Sequence, residues 1–227
     1  MDGLVRRRGM QEQKAEGTVY EWNYTMGLPE DIGWTRHTEG TADDTITFDS
    51  DGMLVTMTSG GVFWSPPTEI ITSGVAEFVV IPVVMGYGNW NNMNGIALQI
   101  SSGTDVGQKI SFQRPNTSTQ YIRHRCKNSA SSYGISYIYD GQTFGYDVPC
   151  FCKIENNPTA GKITVPKRSQ TDYMNVLESK DVAGNYGQGA YNVSYRNRYS
   201  AFGLYTGGQQ YSVKFVSVKF TVLGGED

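Results

Sequence analysis

The sequence predicts an all-β protein, a two-sheet antiparallel jelly-roll sandwich, and three observations carry that expectation. Apolar and polar residues alternate with a period of two almost throughout, which is the spacing of strands with unlike faces. Gly (27) and Tyr (15) are abundant, whereas the Ala, Leu, Glu and Lys that sustain long helices are scarce. Clusters of Gly, Asn, Asp and Ser fall between the alternating stretches, where tight turns need them. At 227 residues the chain suits one large sandwich rather than two domains.

Residues 1–17 stand apart. They carry the basic run Arg6-Arg7-Arg8, then Gln11-Glu12-Gln13-Lys14, with no apolar period to bury. They are expected to form a flexible basic arm outside the core, either a plain terminus or a peptide that docks on a larger assembly. Residues 18–227 are the sandwich domain.

A first strand begins at Val19, with Tyr20, Trp22 and Tyr24 on one face and Val19, Glu21 and Asn23 on the other. Ile46 and Phe48 lead into the turn Asp49-Ser50-Asp51-Gly52, after which Met53, Val55 and Met57 alternate with Leu54, Thr56 and Thr58, the signature of a hairpin. Residues 76–84 are almost continuously apolar, as in a strand covered on both sides, and Pro82 should disturb the ladder there. Ile96, Leu98 and Ile100, then Ile110 and Phe112, mark two half-buried strands with Gln99, Ser101, Lys109 and Gln113 facing away. In residues 120–126, Ile122, His124 and Cys126 share one face and Tyr121, Arg123 and Arg125 the other, which makes His124 a core-side residue.

Further strands are expected at residues 136–139, 148–154, 162–165, 173–177, 191–195 and 200–206. The last strand is irregular, because Tyr211, Val213 and Phe215 follow one phase and Val216, Val218, Phe220 and Val222 the other. A one-residue slip of this kind flips the buried face, so a β-bulge near Phe215 and Val216 or a passage between sheets is expected.

Several function classes are disfavoured. The net charge of −3 and pI near 5.4 supply no overall basic field for nucleic acid or anionic lipid. No stretch reaches the roughly 20 apolar residues that span a bilayer, and the first residues lack the apolar core of a signal peptide. The chain is therefore expected to act without nucleic-acid or membrane partners. Three cysteines do not form a disulfide framework. Cys150 and Cys152 lie two apart on a strand face with Val148 and Ile154, so both are expected free and buried rather than metal-bound.

The order of segments resembles the concanavalin A-like lectin/glucanase superfamily, in its laminin G-like form. The residues that carry the resemblance are the aromatic opening Val19-Tyr20-Glu21-Trp22, the hairpin at residues 48–52 and the apolar strand at residues 75–83. The closing pair, Phe202-Gly203-Leu204-Tyr205-Thr206-Gly207-Gly208 and then residues 213–220, completes it. This likeness implies a sandwich fold and, as a function, either glycan recognition or polysaccharide hydrolysis. The basic arm and the Gly-, Asn-, Ser- and Tyr-rich composition also resemble bacteriophage virion components, namely head fibres, decoration proteins and tail receptor-binding modules. That second resemblance implies a location on the virion, with extracellular or cell-surface placement as the alternative.

Glycanases of this superfamily set two glutamates on one strand as Glu-x-Asp-x-x-Glu to bring two carboxylates together. The sequence has no such pair, nor a Gly-x-Ser-x-Gly elbow or a His-Glu-x-x-His helix, so no catalytic residue is assigned and the protein is expected to be non-enzymatic. Asp43-Asp44 and Asp49-Ser50-Asp51-Gly52 could supply oxygens to a structural calcium ion, although Asp-rich turns ending in Gly are ordinary hairpin chemistry. No other cofactor is implied.

The best binding candidate is the loop at residues 86–95, with Tyr87 and Trp90 as stacking surfaces for sugar CH faces and Asn89, Asn91, Asn92 and Asn94 as hydrogen-bond partners for hydroxyls. The alternative for Trp90 is a lid on the core. The expected partners are a glycan or host-surface polysaccharide, other virion proteins and further copies of the chain in a homo-oligomer. A purely structural virion protein and a concanavalin A-like glycanase are the competing readings.

Overall fold

The computed structural model describes residues 17–86, 95–103, 106–114, 121–126, 135–137, 144–156, 161–167, 172–182 and 199–223. These residues contain thirteen strands, no α-helix and two single 3₁₀ turns, at Tyr24–Met26 and Pro29–Ile32. The predicted all-β class is what the chain adopts.

The strands are β1 (Thr18–Asn23), β2 (Thr35–Glu39), β3 (Thr45–Phe48), β4 (Met53–Ser65), β5 (Gly74–Met85), β6 (Gly95–Gly103), β7 (Val106–Gln113) and β8 (Tyr121–Cys126). They continue as β9 (Ile135–Tyr137), β10 (Cys150–Asn156), β11 (Gly161–Pro166), β12 (Leu177–Val182) and β13 (Ala201–Val222). Every pairing is antiparallel. The spine is β13, 22 residues long, which belongs to both layers. Its first residues lie between β4 and β6, its middle between β4 and β5, and its end between β5 and β1.

Two layers result. The front layer runs β2, β4, the first part of β13, β6, β7, β8 and β9; the back layer runs β1, the last part of β13, β5, β10, β11 and β12. Aromatic rings fill the space between them. Trp22 of the back layer stacks on Phe202 of the front at 5.2 Å, Trp64 stacks on Phe202 at 5.4 Å, and Trp34 meets both Phe202 and Phe220.

The expected phase slip in the last strand is present. Tyr211, Val213 and Phe215 are buried, then Val218 and Phe220. Phe215 stands opposite Val80 and Ser217 opposite Val79, so Val216 is the extra residue of a bulge. A second irregularity falls at Pro82: Ser212 pairs with Val84 and Val213 with Pro82, which leaves Val83 unopposed. The Asp49–Gly52 hairpin also forms as expected, with Phe48 opposite Met53.

Two expectations need correction. Residues 173–177 do not form a strand; Tyr173, Met174 and Asn175 make a turn organised by the Asp172 carboxylate, which accepts from the Met174 and Asn175 amides, and β12 starts only at Leu177. The side-chain-to-backbone bonds of an Asx turn outcompete the strand suggested by alternation there. The outward faces of β6 and β7 are not half-exposed either. Gln99, Ser101, Lys109 and Ser111 are all buried although they face away from the core. The arm at residues 1–16 and the strand expected at residues 191–195 lie outside the described residues.

Cys150 and Cys152 are free and fully buried on the core face of β10 with Ile154. His124 stands opposite Ile110 in the ladder.

Candidate functional site

The face of the front layer turned away from the core is where polar chemistry gathers. Its cross-strand rows follow from the register. Gly203 lies between Phe63 on β4 and Ala97 on β6, and Ala97 stands opposite Ser111 on β7. In the next row Ala201 stands opposite Gln99, and Gln99 opposite Lys109. Small residues occupy the middle of this face, and a side chain there would collide: a Cβ on Gly203 would lie 2.2 Å from the Val62 carbonyl oxygen and 2.5 Å from the Phe63 ring. Phe63, Ala97 and Ala201 form a small apolar cluster of their own, with Tyr205 packed against it.

At one end of this face, residues 65–71, 99–101 and 199–201 are tied together. The Ser200 amide donates to the Glu69 carbonyl at 2.6 Å, the Ile71 amide to the Ser101 carbonyl at 2.6 Å, and the Ser101 amide to the Ser200 hydroxyl at 2.9 Å. Gln99 donates through Nε2 to the Tyr199 carbonyl at 2.6 Å. The imidazole of His37 stacks on the Tyr199 ring with centroids 4.2 Å apart.

His37 Nε2 lies 2.7 Å from the Ser65 hydroxyl, which in turn donates to Glu69 Oε1 at 3.4 Å. Burial holds the His37 pKa below the ordinary imidazole value, with the Glu69 carboxylate pulling it the other way. The direction of the His37–Ser65 bond follows the tautomer: with its proton on Nε2 the ring donates to Ser65 Oγ, and with its proton on Nδ1 it accepts from the Ser65 hydroxyl. In an acyl-transfer triad the imidazole accepts the serine proton and the carboxylate holds the other ring nitrogen. Here Glu69 Oε1 lies 3.3 Å from the same Nε2.

The two Asp-rich turns are knit internally. Asp43 Oδ1 accepts from the Thr58 and Ser59 amides, both at 2.8 Å, and Oδ2 from the Thr58 hydroxyl; these bonds lower its pKa to about 2. Asp44 meets Arg36 at 2.5 Å, next to a shallow depression lined by Thr38, Gly40, Thr41 and Ala42. Asp49 accepts from the Asp51 and Gly52 amides and pairs with Lys214 at 2.8 Å; Asp51 also faces Lys214. These oxygens face N–H, hydroxyl and cationic donors. Among the described residues, no group of three or more His, Cys, Asp or Glu side chains converges as a metal site.

Tyr87, Asn89, Trp90, Asn91, Asn92 and Asn94 lie outside the described residues, but the two feet of their loop are placed. The Gly86 amide donates to the Gln210 carbonyl at 2.9 Å. Gly95 has φ +126° and sits where a Cβ would lie 1.9 Å from the Phe112 carbonyl oxygen, so only glycine fits. Gly86 thus lies beside β13 where residues 207–210 are exposed, and Gly95 opens β6. Sequence reading did not single out Gln99, Lys109, Ser111, Ser65 or Glu69 as site residues. Alternation placed Gln99 and Lys109 on the outer face but could not reveal that this face is buried.

No family model matches the chain, and no curated protein is matched by it. Solved structures do match. The exoplasmic/lumenal domain of VIP36 in its Ca²⁺/Man3GlcNAc-bound form has a TM-score of 0.52 at 11% identity, covering 91% of this chain and 90% of that one. The Ca²⁺-bound form of the same domain gives 0.52 at 13% identity, covering 90% of each. A protein of unknown function with a galectin-like fold from Bacillus subtilis gives 0.47 at 9% identity, covering 92% of this chain and 98% of that one. The class is therefore an antiparallel jelly-roll sandwich, the fold shared with the VIP36 domain. At these identities the likeness is one of fold.

Proposed function

We propose that this protein is a non-enzymatic glycan-binding module that recognises its ligand at the loop of residues 87–94 and the adjoining outer face of the front layer. The observation that carries this reading is the extent of the match: the sandwich common to both covers nine tenths of a domain solved with Man3GlcNAc bound. The absence of a paired-carboxylate motif in the sequence supports binding over hydrolysis.

Tyr87 and Trp90 would supply the stacking surfaces and the four asparagines the hydrogen bonds. Contacts of this kind give weak single-site affinity, so adhesion would come from many copies presented together. That requirement, with the basic arm as an attachment peptide, supports placement of the protein as an adhesion component of a bacteriophage virion in homo-oligomeric form.

Replacement of Trp90 by Ala tests the site. A folded variant whose binding on a glycan array falls at least about fivefold is expected, if stacking of a sugar on the ring matches the about 1–3 kcal/mol of base stacking on an aromatic side chain. A folded variant with undiminished binding would remove the loop from the site, and release of reducing ends from any bound polysaccharide would overturn the non-enzymatic reading.

A further inference from the structure

One imidazole touches three separate parts of the chain at the outer face of the front layer. His37 belongs to β2, where it stands opposite Phe63 of β4. Its Nε2 reaches Ser65 at 2.7 Å and Glu69 at 3.3 Å, and its ring lies nearly parallel to that of Tyr199, 11° apart. Tyr199 and Ser200 lead into β13 and are held down at the same place. The Tyr199 carbonyl accepts from Gln99, the Ser200 amide donates to the Glu69 carbonyl, and the Ser200 hydroxyl accepts from the Ser101 amide. The residue that carries the carboxylate facing His37 therefore also anchors the backbone of Ser200.

The surroundings decide what a proton on this ring does. The His37 side chain is 14% exposed and Ser65 is fully buried. β4 contributes Phe63 and Ser65 and has no charged side chain from Met53 to Ser65. The 65–71 connection contributes Glu69, and residues 199–201 contribute only the Tyr199 phenol. On β2 itself Arg36 is engaged by Asp44 and Glu30, and Glu39 lies two positions along. β6 reaches Tyr199 through the neutral Gln99. A charged imidazole here has one carboxylate beside it and little water, and it can no longer accept from Ser65. Desolvation outweighs the pull of Glu69, which is why the folded pKa lies below the ordinary value of 6.5.

We propose that His37 is an acid-sensitive latch: the neutral ring holds Tyr199 and Ser200 against the outer face of the front layer, and protonation releases them. The sign follows from linkage. With the folded pKa below the unfolded one, the latch is at full strength above about pH 6.5 and weakens as pH falls from there through the folded value. Release parts the Tyr199–Gln99 and Ser200–Ser101 bonds and turns a covered patch of the face toward solvent, whatever that face binds.

The test combines NMR titration of the two histidine rings with amide hydrogen exchange on the full chain at pH 7.5 and 5, each rate divided by its intrinsic value. The His37 signal, identified by its loss in His37→Gln, is expected to titrate below 6.5. Protection of the Ser200 and Ser101 amides should be lost toward pH 5 while that of Cys152 on β10 is kept. In His37→Gln the loss at Ser200 and Ser101 should vanish. Glu69→Gln should shift the His37 titration further down, because it removes the one attraction that opposes desolvation. Should His37→Gln fail to fold, the wild-type titration and the Glu69→Gln shift still decide.

A His37 ring that titrates at or above 6.5 would overturn the latch, as would an upward shift in Glu69→Gln. Protection lost equally at Cys152 would show global acid unfolding instead of a local release. A folded His37→Gln protein that keeps the wild-type pH dependence at Ser200 would move the switch to another group.

Discussion

Single side chains carry unequal shares of this fold, and Phe202 carries one of the largest. Its ring meets Trp22, Trp34, Trp64 and Phe215, so it joins the front and back layers at one point. Phe202→Ala removes those contacts from a site with no solvent access and is expected to lower unfolding stability by about 3–5 kcal/mol in urea titrations. Asp43 acts differently, because it is exposed and works through hydrogen bonds to the Thr58 and Ser59 backbone. Its pKa falls from 3.8 to about 2 on folding, so its stabilising effect is present above the unfolded value and is lost as pH drops through the folded one. The melting temperatures of wild type and Asp43→Asn should therefore differ above about pH 5 and converge as the pH approaches about 2. A difference that persists unchanged at the acid end would show that the hydrogen bonds, not the charge, carry the effect.

At the scale of elements, β13 shows how closely a strand's burial phase is written in its residues. Val216 is the one residue the β5 ladder does not match, and removing it would leave Phe215, Val218 and Phe220 in one continuous alternation. Removing Lys219 instead would turn Phe220 outward, away from Phe78 and Trp34. Deletion of Val216 is thus expected to give a folded protein, and deletion of Lys219 a loss of about 3–5 kcal/mol or outright unfolding, by circular dichroism and thermal melting. The slip, the Asp49–Gly52 hairpin and the disturbance at Pro82 were legible because each is a local departure from period two. The turn at residues 172–175 was not, since the Asp172 carboxylate decides it and alternation is blind to that. Nor was the chemistry of the outer face, because period two assigns Gln99 and Lys109 to a face without saying that the face is covered. The rows that bring Lys109 to Arg125 depend on the order β6, β7, β8, which is a property of the ladder and not of any one segment.

For the molecule as a whole, the two buried thiols offer a readout of how cooperatively the layers separate. Cys150 and Cys152 lie on β10, between β5 and β11 in the back layer, and face the core. Burial pushes the Cys150 thiol up to about 12 and the Cys152 thiol well above its ordinary value, with the neighbouring Cys150 adding to the latter. The thiolate is the reactive species, so at neutral pH neither cysteine reacts until the strand opens to solvent. β10 is hydrogen-bonded on both edges, and Gln108 of β7 reaches across from the front layer to the Glu155 carbonyl and Asn156 side chain at 2.8 and 2.9 Å. Exposing β10 therefore requires parting of the two layers, not fraying of an edge. In a Cys126→Ser background, labelling of Cys150 and Cys152 by a thiol reagent is expected to be slow, and both should share one rate. That rate should rise with urea along the same slope as global unfolding, because a shared slope means a shared opening. A flat dependence on urea would show that the back layer opens locally, and deletion of residues 1–16 should change neither the rate nor the melting temperature if the arm lies outside the core.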